Sequence, residues 1–115
     1  MFAVIYRFYI KPEFESEFPK QWKKIATYFV KERGSFGSTL NKSEDGMWIA
    51  YSKWPDKATR DASWSAENEA ANSLIPLDLR EVIEWMKNSM DMEQKMPEIC
   101  MEVYETITKP LAFSS

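Results

Sequence analysis

The hydrophobic pattern at the start of the chain predicts a β-strand that is apolar on both faces. In the segment FAVIYRFYI, one alternating set of side chains is Phe2, Val4, Tyr6, Phe8 and Ile10. The other set is Ala3, Ile5, Arg7 and Tyr9. A sheet that is covered on one side only carries polar residues at every second position. We therefore expect helices on one face of this strand and a second subunit on the other.

Apolar residues at spacings of four, four, three and four predict an amphipathic helix after this strand. These residues are Phe14, Phe18, Trp22, Ile25 and Phe29. Ser16 is the predicted N-cap, which places Pro19 in the first turn, where its missing N–H removes no helical hydrogen bond. Gly34 is placed to end the helix. We interpret the aromatic stripe as core rather than as a cofactor site.

A hairpin and a second alternating strand follow. The Asp45-Gly46 pair favours a tight hairpin turn, because such turns need positive φ angles. The returning strand divides into two faces, Trp48, Ala50, Ser52 and Trp54 against Met47, Ile49, Tyr51 and Lys53. Lys53 matches Arg7 as the charged member of its face, so we assign the two tryptophans to the helix side. Two small residues between two tryptophans predict either a packed core or a slot for a flat ligand.

Four alanines at four-residue intervals mark one face of the second predicted helix, for which Asp56 is the expected N-cap. They are Ala58, Ala62, Ala66 and Ala70. Such a stripe permits close approach to the sheet or leaves room for a flat ligand. Trp64 lies about 200° from the stripe on a regular helix, so we expect it in a different environment.

A third helix is predicted from Asp78, and the segment EICMEVYETIT (98–108) predicts the last strand. In this strand we expect Cys100 to be a buried thiol. The order β-α-β-β-α-(α)-β predicts a ferredoxin-like α+β fold with an antiparallel sheet and helices on one face. We expect a single domain over residues 1–115, with an extra helical segment at 74–96 and a tail at 109–115.

Composition excludes several classes of function. The chain has 18 acidic and 15 basic residues, so we expect no nucleic-acid partner. Its apolar runs are too short for a membrane helix, and we expect a cytoplasmic protein without a membrane partner. It contains no histidine, which excludes Ser-His-Asp triads and HExxH metal sites, and its three glycines form no nucleotide-binding loop. We expect no metal and no cofactor.

Three stretches of the first half carry a resemblance to a known family. VIYRFYIKPE, EFPKQWKKI and LNKSEDGMWIAYSKWPDKA resemble the antibiotic biosynthesis monooxygenase-like family of dimeric α/β barrels. The resemblance implies a homodimer of ferredoxin-like subunits whose sheets meet as a barrel. It also implies a cavity between sheet and helices in each subunit, and a C-terminal strand and tail that reach the neighbouring subunit.

The same resemblance implies two possible activities. One is cofactor-independent oxygenation of a planar, quinol- or anthrone-like aromatic, which needs a water-poor aromatic slot and a proton acceptor but no histidine. The other is haem degradation, which in those relatives uses an asparagine on the first strand, a tryptophan on the second helix and a histidine. Tyr6 occupies the asparagine position, Trp64 lies near the tryptophan position, and the histidine is missing. We therefore favour oxygenation.

Tyr6, Ser52, Trp54 and Trp64 are the candidate substrate-binding residues, and Tyr6 is the candidate catalytic residue. Tyr6 could donate a hydrogen bond, accept a proton if its pKa were lowered, or be an ordinary core tyrosine. Ser52 and Trp54 could line the slot or simply complete the sheet, and Trp64 could lie under the 74–90 segment. The alternative function is a non-catalytic dimeric module that binds a small aromatic or apolar ligand, or a protein partner.

The remaining charged and sulfur-containing side chains have simpler interpretations. We expect Arg7 to pair across the dimer with Glu102 or Glu105. Asp91 and Glu93 are interpreted as a solvated face, because no imidazole or thiolate accompanies them. The methionines near the C-terminal end could adapt to an irregular ligand or fill gaps in the core. They are Met86, Met90, Met92, Met96 and Met101.

Overall fold

Four strands and three helices make up the fold. The strands are β1 (Phe2–Phe8), β2 (Gly37–Lys42), β3 (Trp48–Trp54) and β4 (Ile99–Glu102). The helices are α1 (Phe18–Glu32), α2 (Lys57–Ser63) and α3 (Leu77–Ser89). This computed structural model describes residues 1–64 and 72–109. Within those residues, none of the helices has the length and apolar character needed to cross a bilayer.

The strands form one antiparallel sheet in the order β2-β3-β1-β4, which confirms the ferredoxin-like α+β prediction. Strand β3 has the predicted faces. Its helix-side residues, Trp48, Ala50, Ser52 and Trp54, are all buried. The opposite residues Ile49, Tyr51 and Lys53 are half-buried. The helix side of the sheet is therefore the core of the described chain.

Helix α1 begins one residue later than its predicted cap implies. Ser16 lies in a turn, and the N-cap position belongs to Glu17, which makes no side-chain capping bond. Residues 12–14 form a separate 3-10 turn, and the Glu17 N–H donates to the Phe14 carbonyl at 3.2 Å. Pro19 still falls in the first helical turn, where it removes no hydrogen bond. The predicted Ser16 cap was wrong because Ser16 lies within this turn, one residue before the observed N-cap position.

Helix α2 turns a different face to the sheet from the one predicted. Asp56 caps it as expected, accepting the Thr59 N–H at 2.7 Å. Ala58 and Ala62 are nevertheless exposed, and the buried residues of this short helix are Arg60 and Ser63. The Ser63 hydroxyl donates to the Arg33 and Thr59 carbonyls, so this buried serine is satisfied. Ala66 and Ala70 lie outside the described residues.

Strand β4 is shorter than the predicted strand over 98–108. It pairs with β1 only from Phe2 to Ile5, and the Val103 N–H then reaches the Met1 carbonyl at 2.8 Å. The observed pairing with β1 ends at this bond. Cys100 is exposed rather than buried, because β4 is an edge strand.

The face of the sheet away from the helices keeps an apolar surface, here called the open face. Ile5 and Ile99 face each other on this side, next to the half-buried Ile49 and Tyr51. Ile99 is 38% exposed. Arg7 also lies on this face, and within the chain its guanidinium donates to the Pro97 carbonyl at 3.2 Å. Its pairing with Glu102 or Glu105 of a second subunit stays a prediction.

Candidate functional site

The side chains of Tyr6, Arg60 and Glu98 form a polar cluster on the helix side of the sheet. Arg60 on α2 is only 3% exposed. One of its terminal nitrogens donates to the Tyr6 hydroxyl at 3.1 Å and to the Glu98 carboxylate at 2.6 Å. The other donates to Asp61 at 3.2 Å. Strand β1, helix α2 and the start of β4 therefore converge on one guanidinium.

The surroundings of Arg60 and Tyr6 keep the guanidinium charged and the phenol neutral. Burial works against the charge on Arg60, but hydrogen bonds to Glu98 and Tyr6 outweigh it and raise the pKa of the guanidinium above its ordinary value. Burial raises the pKa of Tyr6, although the nearby Arg60 opposes this shift. Tyr6 therefore stays neutral near pH 7 and is suited to donate a hydrogen bond rather than to act as a base.

The cluster is accessible from the side of β4. Glu98 is its most exposed member, with 32% of its side chain open to solvent. Cys100 lies next to it, with 3.5 Å between the thiol sulfur and the carboxylate. The Arg60 Nε–H is buried and has no acceptor among the described residues. An anion that displaced the Glu98 side chain would meet a charged donor already held in place.

The predicted slot between Trp48 and Trp54 is occupied by side chains of α1. Phe18 packs against Trp48 with 5.7 Å between ring centroids, and Phe29 packs edge-on against Trp54 at 6.0 Å. The Trp54 indole N–H donates to the Ser52 hydroxyl at 3.2 Å. Ser52 and Trp54 thus lie in packed core instead of facing an open slot. Their assignment as ligand-binding residues stays a prediction.

Trp64 lies apart from the other three candidates. It follows the last residue of α2 in an extended conformation, so the helical angle expected for it does not apply. Its side chain lines a cavity of about 300 Å³ against α3, and the Lys87 ammonium lies 5.8 Å from its ring centroid. Tyr6, in contrast, packs against the core cluster that contains Trp54 on the helix side of the sheet. The structure places Tyr6, Ser52 and Trp54 on this one face of the sheet and leaves Trp64 at the cavity beside α3.

A family model matches more than half of this chain. The family model described as antibiotic biosynthesis monooxygenase matches residues 1–69, which include β1, α1, the β2–β3 hairpin and α2. The chain belongs to this monooxygenase family. No curated protein matches the sequence. The match contains Tyr6 and Arg60 but not Glu98, so the family assignment covers two members of the polar cluster.

Solved structures agree with this family assignment in their fold. SnoaB, a cofactor-independent oxygenase from Streptomyces nogalater, is 13% identical and superposes with a TM-score of 0.67, covering 94% of this chain and 97% of its own. A conserved protein from Methanosarcina mazei is 15% identical with a TM-score of 0.64, covering 87% and 89%. Rv0793 from Mycobacterium tuberculosis is 17% identical with a TM-score of 0.58, covering 99% and 98%. At these identities the likeness establishes the fold.

Arg60 and Glu98 are the two members of the cluster that sequence reasoning missed. The alanine stripe pointed to the opposite face of α2, and nothing in the local sequence distinguishes Arg60 from an exposed helical arginine. The available signal was indirect, because a tyrosine on a buried strand face requires a polar partner. Among residues 1–64 and 72–109, no group of three His, Cys, Asp or Glu side chains is placed to hold a metal ion.

Neutralising Glu98 is expected to destabilise the protein more than removing Arg60. Glu98→Gln leaves a buried guanidinium with weaker compensation, at a cost of about 2–4 kcal/mol of unfolding free energy. Arg60→Met removes the buried charge and leaves a carboxylate that solvent can reach, so we expect a loss of about 1–2 kcal/mol. Urea unfolding of both variants measures this order.

Glu102→Gln is the matched control, since this β4 carboxylate is more exposed and lies 4.0 Å from the N-terminal ammonium. It should change the unfolding free energy by less than about 1 kcal/mol. A larger loss of unfolding free energy for Arg60→Met than for Glu98→Gln would contradict this prediction. A loss for Glu98→Gln no larger than that for Glu102→Gln would also show that the buried Arg60 charge does not need Glu98 for its stability.

Proposed function

We propose that this protein is a cofactor-independent oxygenase of a planar aromatic substrate with an acidic proton, of the quinol or anthrone type. The observation that carries the proposal is the cluster of Tyr6 and Glu98 around the buried Arg60 on the helix side of the sheet. The family assignment and the fold likeness to SnoaB, itself a cofactor-independent oxygenase, support it.

The first step is proton removal from the substrate. Once Glu98 turns away from Arg60, its carboxylate is free to accept this proton. The substrate oxygen then carries the negative charge and takes the place of Glu98 on the Arg60 guanidinium. Burial raises the pKa of Tyr6, so its hydroxyl stays protonated and donates a hydrogen bond to the same oxygen.

Dioxygen is the co-substrate of the second step. The substrate anion passes one electron to dioxygen, and the resulting pair recombines to form a carbon–oxygen bond. For an anthrone-type substrate, loss of water from the peroxide converts the reacting CH₂ group to a C=O group. One oxygen atom enters the product, and the other leaves as water with the two hydrogens of the CH₂ group. The protein's contribution is to hold and stabilise the anion.

Removing the Tyr6 hydroxyl is expected to slow this reaction. Tyr6→Phe should lower kcat/KM for oxygen uptake about tenfold, because one hydrogen bond to the substrate oxygen is lost. An oxygen electrode and a panel of hydroquinones and anthrones measure the rate. Tyr28→Phe is the matched control, since the Tyr28 hydroxyl also accepts a bond from an arginine, Arg33, at 3.3 Å. Equal rates for the two variants would remove Tyr6 from the mechanism.

A non-catalytic ligand-binding or interaction module of the same fold is the second candidate. The observation that favours it is the packing of Phe18 and Phe29 into the space between the β3 tryptophans. Such a module would show a ligand-induced rise in melting temperature, or capture of a protein partner, without oxygen uptake.

We infer that the functional unit is a homodimer formed through the open face of the sheet. Ile5, Ile49 and Tyr51 on this face are half-buried in the single chain, and Ile99 is exposed. Beyond β4, Tyr104 and Ile107 are 90% and 95% exposed. An apolar sheet face without cover in the single chain, with further exposed apolar side chains beyond β4, favours cover by a second copy.

An acidic residue in the open face is expected to separate the subunits. Ile49→Asp would place a carboxylate in the interface, and light scattering should then give the mass of one chain, against twice that mass for the unchanged protein. Val30→Asp is the control, because Val30 is an exposed apolar residue on α1. A single-chain mass for the unchanged protein at micromolar concentration would contradict the dimer.

A further inference from the structure

A groove lies between the start of α1 and the edge strand β2, here called the β2 groove. Its volume is about 520 Å³. Its apolar lining comes from Pro19, Trp22, Leu40 and Trp48, and its basic residues are Lys23 and Lys42. The volume lies in the range of small-molecule sites. The groove shares no residue with the Tyr6–Arg60–Glu98 cluster.

Trp48, which lines this groove, carries an unsatisfied donor. The side chain is only 8% exposed, and its indole N–H is buried without an acceptor among the described residues. A buried N–H without a partner costs about 1–3 kcal/mol, so most buried indoles have one. Trp54 on the same strand does have one, the Ser52 hydroxyl. A ligand with an acceptor oxygen would remove this cost at Trp48.

The charges at the groove favour an anion. The Lys42 ammonium lies 5.3 Å from the Trp48 ring centroid and pairs with Glu15. Lys23 has no ion-pair partner among the described residues. The groove therefore has one more positive than negative side chain next to its apolar lining. A carboxylate could compete with Glu15 for Lys42, which lies over the ring that carries the free N–H.

We propose that the β2 groove binds a planar aromatic carboxylate, with its ring against Trp22 and Trp48 and its carboxylate on Lys42, Lys23 and the Trp48 indole N–H. Because the N–H is buried and the Lys42 ammonium lies over the Trp48 ring, the Lys42 side chain moves when the ligand binds. Binding in the β2 groove involves no turnover, so its test does not depend on whether the protein is an oxygenase.

Nuclear magnetic resonance of the indole N–H groups tests the proposal with 2-naphthoate as the probe. The chain has five tryptophans and therefore five indole signals. The Trp48 signal is assigned by its loss in Trp48→Phe and, independently, through the backbone of the unchanged protein. We expect 2-naphthoate to shift the Trp48 signal to saturation and to leave the Trp64 signal in place.

Lys42→Gln should weaken binding about tenfold, while the exposed α1 variant Lys31→Gln should bind like the unchanged protein. The neutral analogue 2-naphthalenemethanol should also bind about tenfold more weakly. The proposal is overturned by an unmoved Trp48 signal at millimolar 2-naphthoate, whether the groove is closed by its own side chains or by a second copy. It is also overturned by a shift of Trp64 alone, or by equal affinities of Lys42→Gln and Lys31→Gln.

Discussion

Replacement of Arg60 by methionine is expected to lower kcat/KM for oxygen uptake by a factor on the order of 10²–10³. Arg60 is the charged donor of the buried cluster and would carry most of the stabilisation of the substrate anion. Methionine has a similar length and no charge, so the core around α2 should stay packed. Initial rates with the best substrate of the hydroquinone and anthrone panel measure the loss.

Arg80→Met is the matched control, since Arg80 is an exposed arginine on α3. It should keep the rate of the unchanged protein. Arg60→Lys adds a variant that retains the charge but loses the paired donors of the guanidinium, so an intermediate rate is expected. Equal rates for Arg60→Met and Arg80→Met would show that the buried cluster is structural only.

Phe18→Ala is expected to lower the unfolding free energy by about 3–5 kcal/mol. Phe18 is fully buried, and its ring centroid lies 5.4 Å from that of Phe8, 5.7 Å from that of Trp48 and 6.5 Å from that of Trp85. Its removal opens a cavity between α1, α3 and the sheet that these rings cannot close. Urea unfolding followed by tryptophan fluorescence measures the change.

Phe36→Ala provides the control for this substitution, because Phe36 precedes β2 and is 62% exposed. Its effect should stay within about 0.5 kcal/mol. A Phe18→Ala effect as small as that of Phe36→Ala would contradict the packing at the Trp48 end of β3. It would favour an open slot of the kind that the sequence left as an alternative.

Strand β3 shows what the sequence could predict. Strict alternation, the preceding Asp45-Gly46 turn and the Asp56 cap after it are local signals, and each is observed. Within the Asp45-Gly46 pair, Gly46 has a positive φ of 96° and Asp45 does not. The assignment of Trp48 and Trp54 to the helix side also held, because the charged residue of a strand face marks the side that is not buried.

The errors arose where tertiary contacts override local pattern. The alanines of α2 matched a buried stripe, but the observed inward face includes Arg60, whose burial depends on Tyr6 and Glu98, residues distant in sequence. The predicted strand over 98–108 was too long because β4 pairs with β1 over only four residues, Ile99–Glu102. The alternation of apolar and polar residues in one strand does not indicate how many residues of the neighbouring strand pair with it.

The oxygenase proposal is tested most directly by turnover under ¹⁸O₂ with a hydroquinone and anthrone panel, followed by mass spectrometry of the product. We expect one labelled oxygen atom per product molecule, one dioxygen consumed per substrate, and loss of both with Arg60→Met. No oxygen uptake with any member of the panel, or uptake that Arg60→Met leaves unchanged, would contradict the account.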